Sequence, residues 1–241
     1  MGWDEMSLED IYRTGAYARM APTWHVDESA AKAQEILRLL ARSQLTPRSL
    51  CEVGCGAGEV LRQLQLALPT GTELTGYDIS PQAIELARPR ANEHLHFYLA
   101  DFTQGDTGAT SGYDMLLVLD VLEHLEDYFS FLRRLKTRSM YKVFFFPLDL
   151  SVQSVIRPHG LLHTRDAYAH LHYFTRETAL RTMEDTGYHI LDAVYTSDAL
   201  DSPTRLLGRR LLKWPRKAAF ALNHDMAVHL LGGYRLLVLA Q

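Results

Sequence analysis

The sequence predicts an α/β fold, a doubly wound and mostly parallel sheet of seven strands, and three observations predict it. From Arg48 onward, apolar runs of strand length alternate with amphipathic runs of helical length, the order that gives parallel strands joined by helices on both faces. At the first strand-to-helix turn stand three glycines at every second position, Gly54, Gly56 and Gly58. The next three strands each close on a carboxylate, Asp78, Asp101 and Asp120, which places these acids along one edge of the sheet.

The elements follow in order. Residues 1–45 form a helical N-terminal segment. Asp27 or Ser29 is positioned to cap a helix whose Ala33, Ile36, Leu37, Leu40 and Ala41 share one face. Trp3, Tyr12, Tyr17, Trp24 and His25 precede that helix. Residues 46–241 carry the sheet. Strand one is 50–53 and ends beside Glu52; the glycine turn leads into a helix over 59–68. Glycine there lets the chain turn sharply and lets a ligand approach bare backbone at a helix N-terminus, so this is a loop of the nucleotide-cofactor type. Strand two is 73–79; Ser80 then caps a helix with Pro81 at its first position, running over 82–88. Strand three is 95–100, strand four 113–119, and the apolar run 143–146 before Pro147 suits a fifth strand buried on both sides. Thr175 caps a helix to residue 184 that Gly187 terminates, 189–195 is a sixth strand and 235–240 the last. Between those two strands lies a helical insertion at about 197–233. Within it Arg205, Arg209, Arg210, Lys213, Arg216 and Lys217 interleave with Leu206, Leu207, Leu211, Leu212 and Trp214. Such a segment is either a packed helix with a solvated face or, over 205–217, a weak contact for a membrane surface or an anionic substrate.

Composition narrows the function. A chain of 241 residues buries one good core, and a formal net charge of -4 does not suggest nucleic acid as a partner. Cys51 and Cys55 sit in the first strand and the glycine turn, where neither a disulfide nor a thiolate metal site is expected; a reduced, cytoplasmic setting follows. No apolar run reaches the roughly 18 residues of a spanning helix.

The glycine spacing separates two cofactors. The dinucleotide fingerprint needs two residues between its second and third glycines, and here only Ala57 intervenes. Gly-x-Gly-x-Gly preceded by Glu52 resembles instead motif I of the class I methyltransferases of small-molecule type, which bind S-adenosyl-L-methionine, and the segment 120–127 resembles the family's motif after strand four. The resemblance covers residues 48 to about 196. It implies the Rossmann-like methyltransferase sheet, with the last strand antiparallel between strands five and six. It also implies cofactor contacts: Glu52, Gly54, Cys55, Gly56 and Gly58 at the methionyl end, Asp78 and Ile79 at the ribose, Asp101 and Phe102 at the adenine, Leu119 and Asp120 beneath the sulfonium. In similar enzymes the segment ahead of motif I folds over the cofactor as a lid, which makes Tyr12, Tyr17, Trp24 and His25 candidates to line the acceptor pocket; the alternative is that they only anchor the helix onto the sheet.

Methyl transfer is an in-line displacement, so the protein aligns the acceptor and, for a hydroxyl, removes its proton. An unperturbed imidazole titrates at about 6.5 and suits that task, so activity should rise through roughly pH 6 to 7. His124, after strand four, and His172 are the candidate bases, with His170 as an acceptor-binding residue. His170 and His172, with His159 and His163 upstream, also raise the question of a metal; with no compact acid cluster beside them and no thiolate, none is expected. The expected reaction is O-methylation of a small molecule of natural-product, sugar or quinone type. N- or C-methylation, a nicotinamide-dependent oxidoreductase and a binding module without turnover are the alternatives.

Overall fold

The computed structural model describes residues 8–104, 112–196 and 207–241, with side chains except at 8–9 and 207–213. Trp3, Arg205 and Leu206 lie outside the described residues. Seven strands form one sheet: β1 (Ser49–Val53), β2 (Glu73–Asp78), β3 (Leu95–Leu99), β4 (Tyr113–Leu119), β5 (Ser139–Leu148), β6 (Ile190–Thr196) and β7 (Tyr234–Ala240). Their order is β3-β2-β1-β4-β5-β7-β6. The first five are parallel, and β7 runs antiparallel to both β5 and β6. The strand order reverses between β2-β1 and β4, and in such sheets ligands bind outside the carboxyl ends at that crevice.

Alternation along the strands builds the two cores. Leu50, Leu74, Leu117, Val143, Phe145 and Leu237 bury one face against α3 (Ser29–Arg42) and α4 (Glu59–Gln65). Cys51, Leu116, Val118, Phe144, Phe146 and Val238 bury the other, with Leu132 and Leu135 of α6 (Tyr128–Leu135) and Ala179 and Met183 of α9 (Arg176–Asp185). Side chains that alternate across a pleated strand reach both layers from one backbone.

The cap signals hold at two helices. Ser80 accepts from the Ala83 N–H at the start of α5 (Pro81–Ala87), and Thr175 accepts from the Thr178 N–H at the start of α9. At α3 the expectation fails: neither Asp27 nor Ser29 caps it, because a 3₁₀ turn, Val26–Glu28, runs straight into the helix. Strand β5 extends well beyond 143–146, because antiparallel β7 pairs with it through Pro147 and Leu148. Two short helices, α1 (Leu8–Arg13) and α2 (Ala16–Met20), precede α3. Helices α7 (Val152–Ile156) and α8 (His159–Tyr168) follow β5, and α10 (Leu207–Leu222) and α11 (His224–Leu231) lie between β6 and β7. Among the described residues no helix is long and apolar enough to cross a membrane.

Candidate active site

A cavity of about 660 Å³ opens at the carboxyl ends of the strands, in the size range of small-molecule sites. One end is built by the glycine turn. Gly54, Gly56 and Gly58 all have positive φ, and a Cβ on Gly58 would stand 2.4 Å from the Phe97 ring, so no other residue fits without displacing β3. The turn is tied to the neighbouring strand: Gly54 and Cys55 donate their N–H groups to Tyr77 O, and Gly56 donates to Asp78 Oδ2 at 2.9 Å. Asp78 Oδ1 accepts from the Ser80 N–H at 2.8 Å. Burial pushes the Asp78 carboxyl up, against the pull of those backbone donors.

The other predicted residues of this end are close by. Glu52, Cys55, Ile79, Asp101, Phe102, Leu119 and Asp120 all line the cavity. The Cys55 thiol is buried toward Gly76, where an added Cβ would meet its Sγ at 2.7 Å, so the residue's backbone is what faces a ligand. Phe102 is buried against Tyr77, with ring centroids 5.1 Å apart, and Asp101 Oδ1 accepts from both the N–H and the hydroxyl of Thr103. Glu52 Oε2 and Asp120 Oδ1 are buried without a hydrogen-bond partner. Burial pushes the Glu52 carboxyl up to about 8. Burial acts the same way on Asp120 but loses to Lys32 and Arg235, which hold it down at about 2. Lys32 Nζ is 2.6 Å from Asp120 Oδ2, and Glu28 Oε2 accepts from Arg235 Nη2 at 2.6 Å.

Aromatic and imidazole groups close the rest of the cavity. Tyr12, Tyr17, Trp24, His25, His124, Tyr168 and His170 line it. Trp24 and His25 both have positive φ, uncommon for such side chains, which turns the chain between α2 and α3 back over the glycine turn. A Cβ on Gly56 would sit 3.5 Å from the Trp24 ring. The Tyr17 hydroxyl lies 3.4 Å from His25 Nε2, and the rings of Tyr12 and Tyr17 stand 6.0 and 6.3 Å from His124. Burial, then the neighbouring His170, pushes the His124 imidazole down to about 3. The expected pH 6 to 7 limb therefore does not belong to His124.

The structure separates the two candidate bases. His172 is not among the residues lining the cavity: its Nε2 donates to Leu125 O at 2.8 Å and its ring packs edge-on against Tyr128. It helps stitch residues 169–172 to 123–125. The Leu171 and His172 N–H groups donate to Glu123 O, and His124 Nδ1 donates to Ala169 O at 3.2 Å. Ala169, at φ 64°, makes the turn that allows this. The stitching carries His170 to His124, with ring centroids 5.1 Å apart, and His170 Nδ1 donates to Asp149 Oδ2 at 2.7 Å. His159 and His163 are not in the lining. The fold brings His170 to the sequence neighbours Glu123 and His124, so an acid does stand beside two of the histidines. Its carboxyl, fully buried, is pushed up by burial and by Asp120, and neither of its oxygens has a partner.

Sequence reasoning missed Glu28, Lys32, Asp149, Tyr168 and Arg235, and took Glu123 only as part of the segment 120–127. Asp149 had a signal, since it directly follows β5 and obeys the strand-end rule that picked Asp78, Asp101 and Asp120. Lys32 stands one residue before Ala33 on the buried face of α3, which the sequence alone reads as a flank.

Comparison with known proteins gives the chain its relatives. The model of a family described as methyltransferase domain matches residues 24–193. Nodulation protein S of Bradyrhizobium diazoefficiens is 33% identical over 108 residues, covering 43% of this chain and 49% of that protein. The ubiquinone biosynthesis O-methyltransferase of Actinobacillus pleuropneumoniae is 25% identical over 134 residues, covering 50% of this chain and 56% of that protein. The match thus spans about half the length of these curated relatives. Magnesium protoporphyrin IX methyltransferase from Synechocystis, solved with bound S-adenosylhomocysteine, has the same fold, with a TM-score of 0.62 at 17% identity over 97% of both chains.

Proposed function

The chain belongs to the S-adenosylmethionine-dependent methyltransferase family, and from that premise we propose that it methylates a hydroxyl oxygen of a small molecule bound at the imidazole end of the cavity. The family match removes the nicotinamide alternative. The cavity itself fits the cofactor. Glu52 Oε2 and Asp120 Oδ1 are buried without hydrogen-bond partners, and although Lys32 already pairs with the other Asp120 oxygen, a ligand bearing an ammonium and a sulfonium would place polar and positive groups beside both residues. When bound, S-adenosylmethionine supplies a methyl carbon made electrophilic by its sulfonium.

The residues divide the work. Glu52 and the backbone of Gly54, Cys55, Gly56 and Gly58 hold the methionyl end. Asp78 and Ile79 hold the ribose, Asp101 and Phe102 the adenine, and Leu119 with Asp120 closes the floor. Of the N-terminal segment 1–45, the described residues from 8 on act as a helical lid, with Trp24 over Gly56 and Tyr12, Tyr17, His25 and His170 around the acceptor. The observation that carries the choice of a hydroxyl is the arrangement of the two imidazoles. Nδ1 of His124 donates to Ala169 O and Nδ1 of His170 donates to Asp149 Oδ2, so Nε2 is the atom of each ring left to meet an acceptor O–H. His172 is a positioning residue in this reading. Vesicle contact through 205–217 rests on the exposed Trp214; Arg216 is turned inward, donating to Gln153 and to Leu231 O.

Calorimetry with S-adenosylhomocysteine and mass analysis of products from paired hydroxyl and amine acceptors test the proposal. The expected result is cofactor-product binding and one added methyl on oxygen. Methylation confined to nitrogen or carbon overturns the hydroxyl assignment, and absence of binding overturns the cofactor site.

A further inference from the structure

We propose that Glu123, His124 and His170 bind a divalent first-row transition-metal ion at the acceptor end of the cavity, leaving coordination positions open for an oxygen of the acceptor. One ligand atom from each residue lies within 4.8 Å of those of the other two. Ligands about 2.1 Å from a common centre stand roughly 3 to 3.6 Å apart, so modest side-chain rotations close the site.

Three further observations point to an ion. First, Glu123 is 0% exposed and neither carboxylate oxygen has a partner, whereas buried polar groups are nearly always paired. His124 does not supply the partner, since its Nε2 is 3.8 Å from Glu123 Oε1, beyond hydrogen-bond distance. Second, each imidazole is oriented from behind: His124 Nδ1 donates to a backbone carbonyl and His170 Nδ1 to the Asp149 carboxylate. That is the outer-shell arrangement that fixes the tautomer of a ligating histidine and leaves Nε2 for the metal. Third, the backbone is built to bring the ligands together. The Glu123 carbonyl accepts both the Leu171 and His172 N–H groups, clamping the turn that carries His170 beside the pair on the other segment.

The ligand set selects the ion. Two imidazoles and one carboxylate suit zinc, cobalt, nickel, iron or manganese better than calcium or magnesium, which prefer oxygen ligands throughout. Three protein ligands leave the ion open to a further donor, the pattern of catalytic rather than structural sites. Tyr12 and Tyr17, ring neighbours of His124, place that open side where the acceptor enters. The role in acceptor binding rests on the methyltransferase reading, with the ion then standing between the two imidazoles and the acceptor oxygen in place of their direct hydrogen bonds to it; the binding of the ion does not.

The test uses the full chain, stripped with a chelator and titrated with zinc chloride by calorimetry, with cobalt(II) absorbance as a second readout. One ion per chain is expected, with affinity falling at least tenfold in Glu123→Gln and in His170→Ala and unchanged in His229→Ala, whose exposed ring pairs with Glu177 at the surface. Glu123→Gln keeps shape and volume, and circular dichroism verifies folding; should it unfold, His170→Ala alone decides. No saturable zinc binding, or equal binding by wild type and both site variants, overturns the proposal. S-adenosylhomocysteine titrated into the same samples separates the two readings: binding of the nucleoside without zinc removes only the ion site, and zinc without the nucleoside removes only the cofactor site.

Discussion

The two ends of the cavity are held by different means. At the glycine end, the turn is tied to the end of one neighbouring strand: Asp78 takes N–H groups from Gly56 and Ser80, and Gly54 and Cys55 donate to Tyr77 O. At the imidazole end the partners lie on connecting segments rather than on strands: His124 with Ala169, His172 with Leu125, His170 with Asp149. The first end is a rigid fitting fixed by backbone; the second is a junction between segments that a change in either one re-aims. One fold can thus keep one cofactor while its acceptor varies.

Substitutions at glycines break this comparison most sharply. Gly58→Ala should be the most damaging change, because φ of +73° costs an ordinary residue about 1–2 kcal/mol and the new Cβ would collide with Phe97 and crowd Ala87. A loss of about 2–4 kcal/mol is expected in denaturant melts; a midpoint within error of wild type would show that the turn is not held as rigidly as its contacts imply. Asp78→Asn comes next. It keeps shape and one acceptor oxygen but loses the charge, and charge-assisted hydrogen bonds are worth about 1.5–3 kcal/mol. S-adenosylhomocysteine should bind at least tenfold more weakly in calorimetry, and equal affinity would take the ribose away from Asp78.

The same contrast explains what the sequence disclosed. The glycine spacing, the acids at strand ends and the Ser80-Pro81 start are all local signals, so β1 to β5 and the residues that line the cavity at their carboxyl ends were legible from residues a few positions apart. The choice between His170 and His172 was not. It depends on a left-handed turn at Ala169 and on docking against the Glu123 carbonyl, neither of which residues 168–175 reveal by themselves. Glu123 lay in the motif segment 120–127, but its burial without a hydrogen-bond partner arises only because two segments close over it. Lys32 was hidden for a similar reason, since its partner Asp120 lies in another segment entirely.

Glu52 sharpens the comparison through protons. Its carboxyl, pushed up to about 8 by burial, is protonated in the free protein at neutral pH. A cationic ammonium held beside it favours the ionised form and lowers that value, so ligand binding should release a proton between about pH 5 and 8 and should strengthen as pH rises through that window. Calorimetry of S-adenosylhomocysteine in buffers of different ionisation enthalpy reads the proton directly. Enthalpies independent of buffer would mean that Glu52 does not meet the charge.

The smallest expected effect comes from the other glycine test, on the acceptor side. Gly160 lies in the first turn of α8, where the preference for alanine is at the low end of its range, and a Cβ added there would meet nothing within 4 Å. Glycine in a helix interior costs about 0.5–1 kcal/mol relative to alanine, mostly because the unfolded chain has more freedom to lose. Gly160→Ala should therefore raise stability by about 0.5 kcal/mol, opposite in sign to Gly58→Ala. Because α8 carries the cavity residues Thr164 and Tyr168 on its C-terminal half, the variant also asks whether stiffening this segment matters to the acceptor. If the imidazole end works as a positioned junction, binding of S-adenosylhomocysteine stays as in wild type while stability rises. A loss of stability would mean that α8 does not hold the helical backbone seen here, and with it the path that brings His170 to His124 would need to be redrawn.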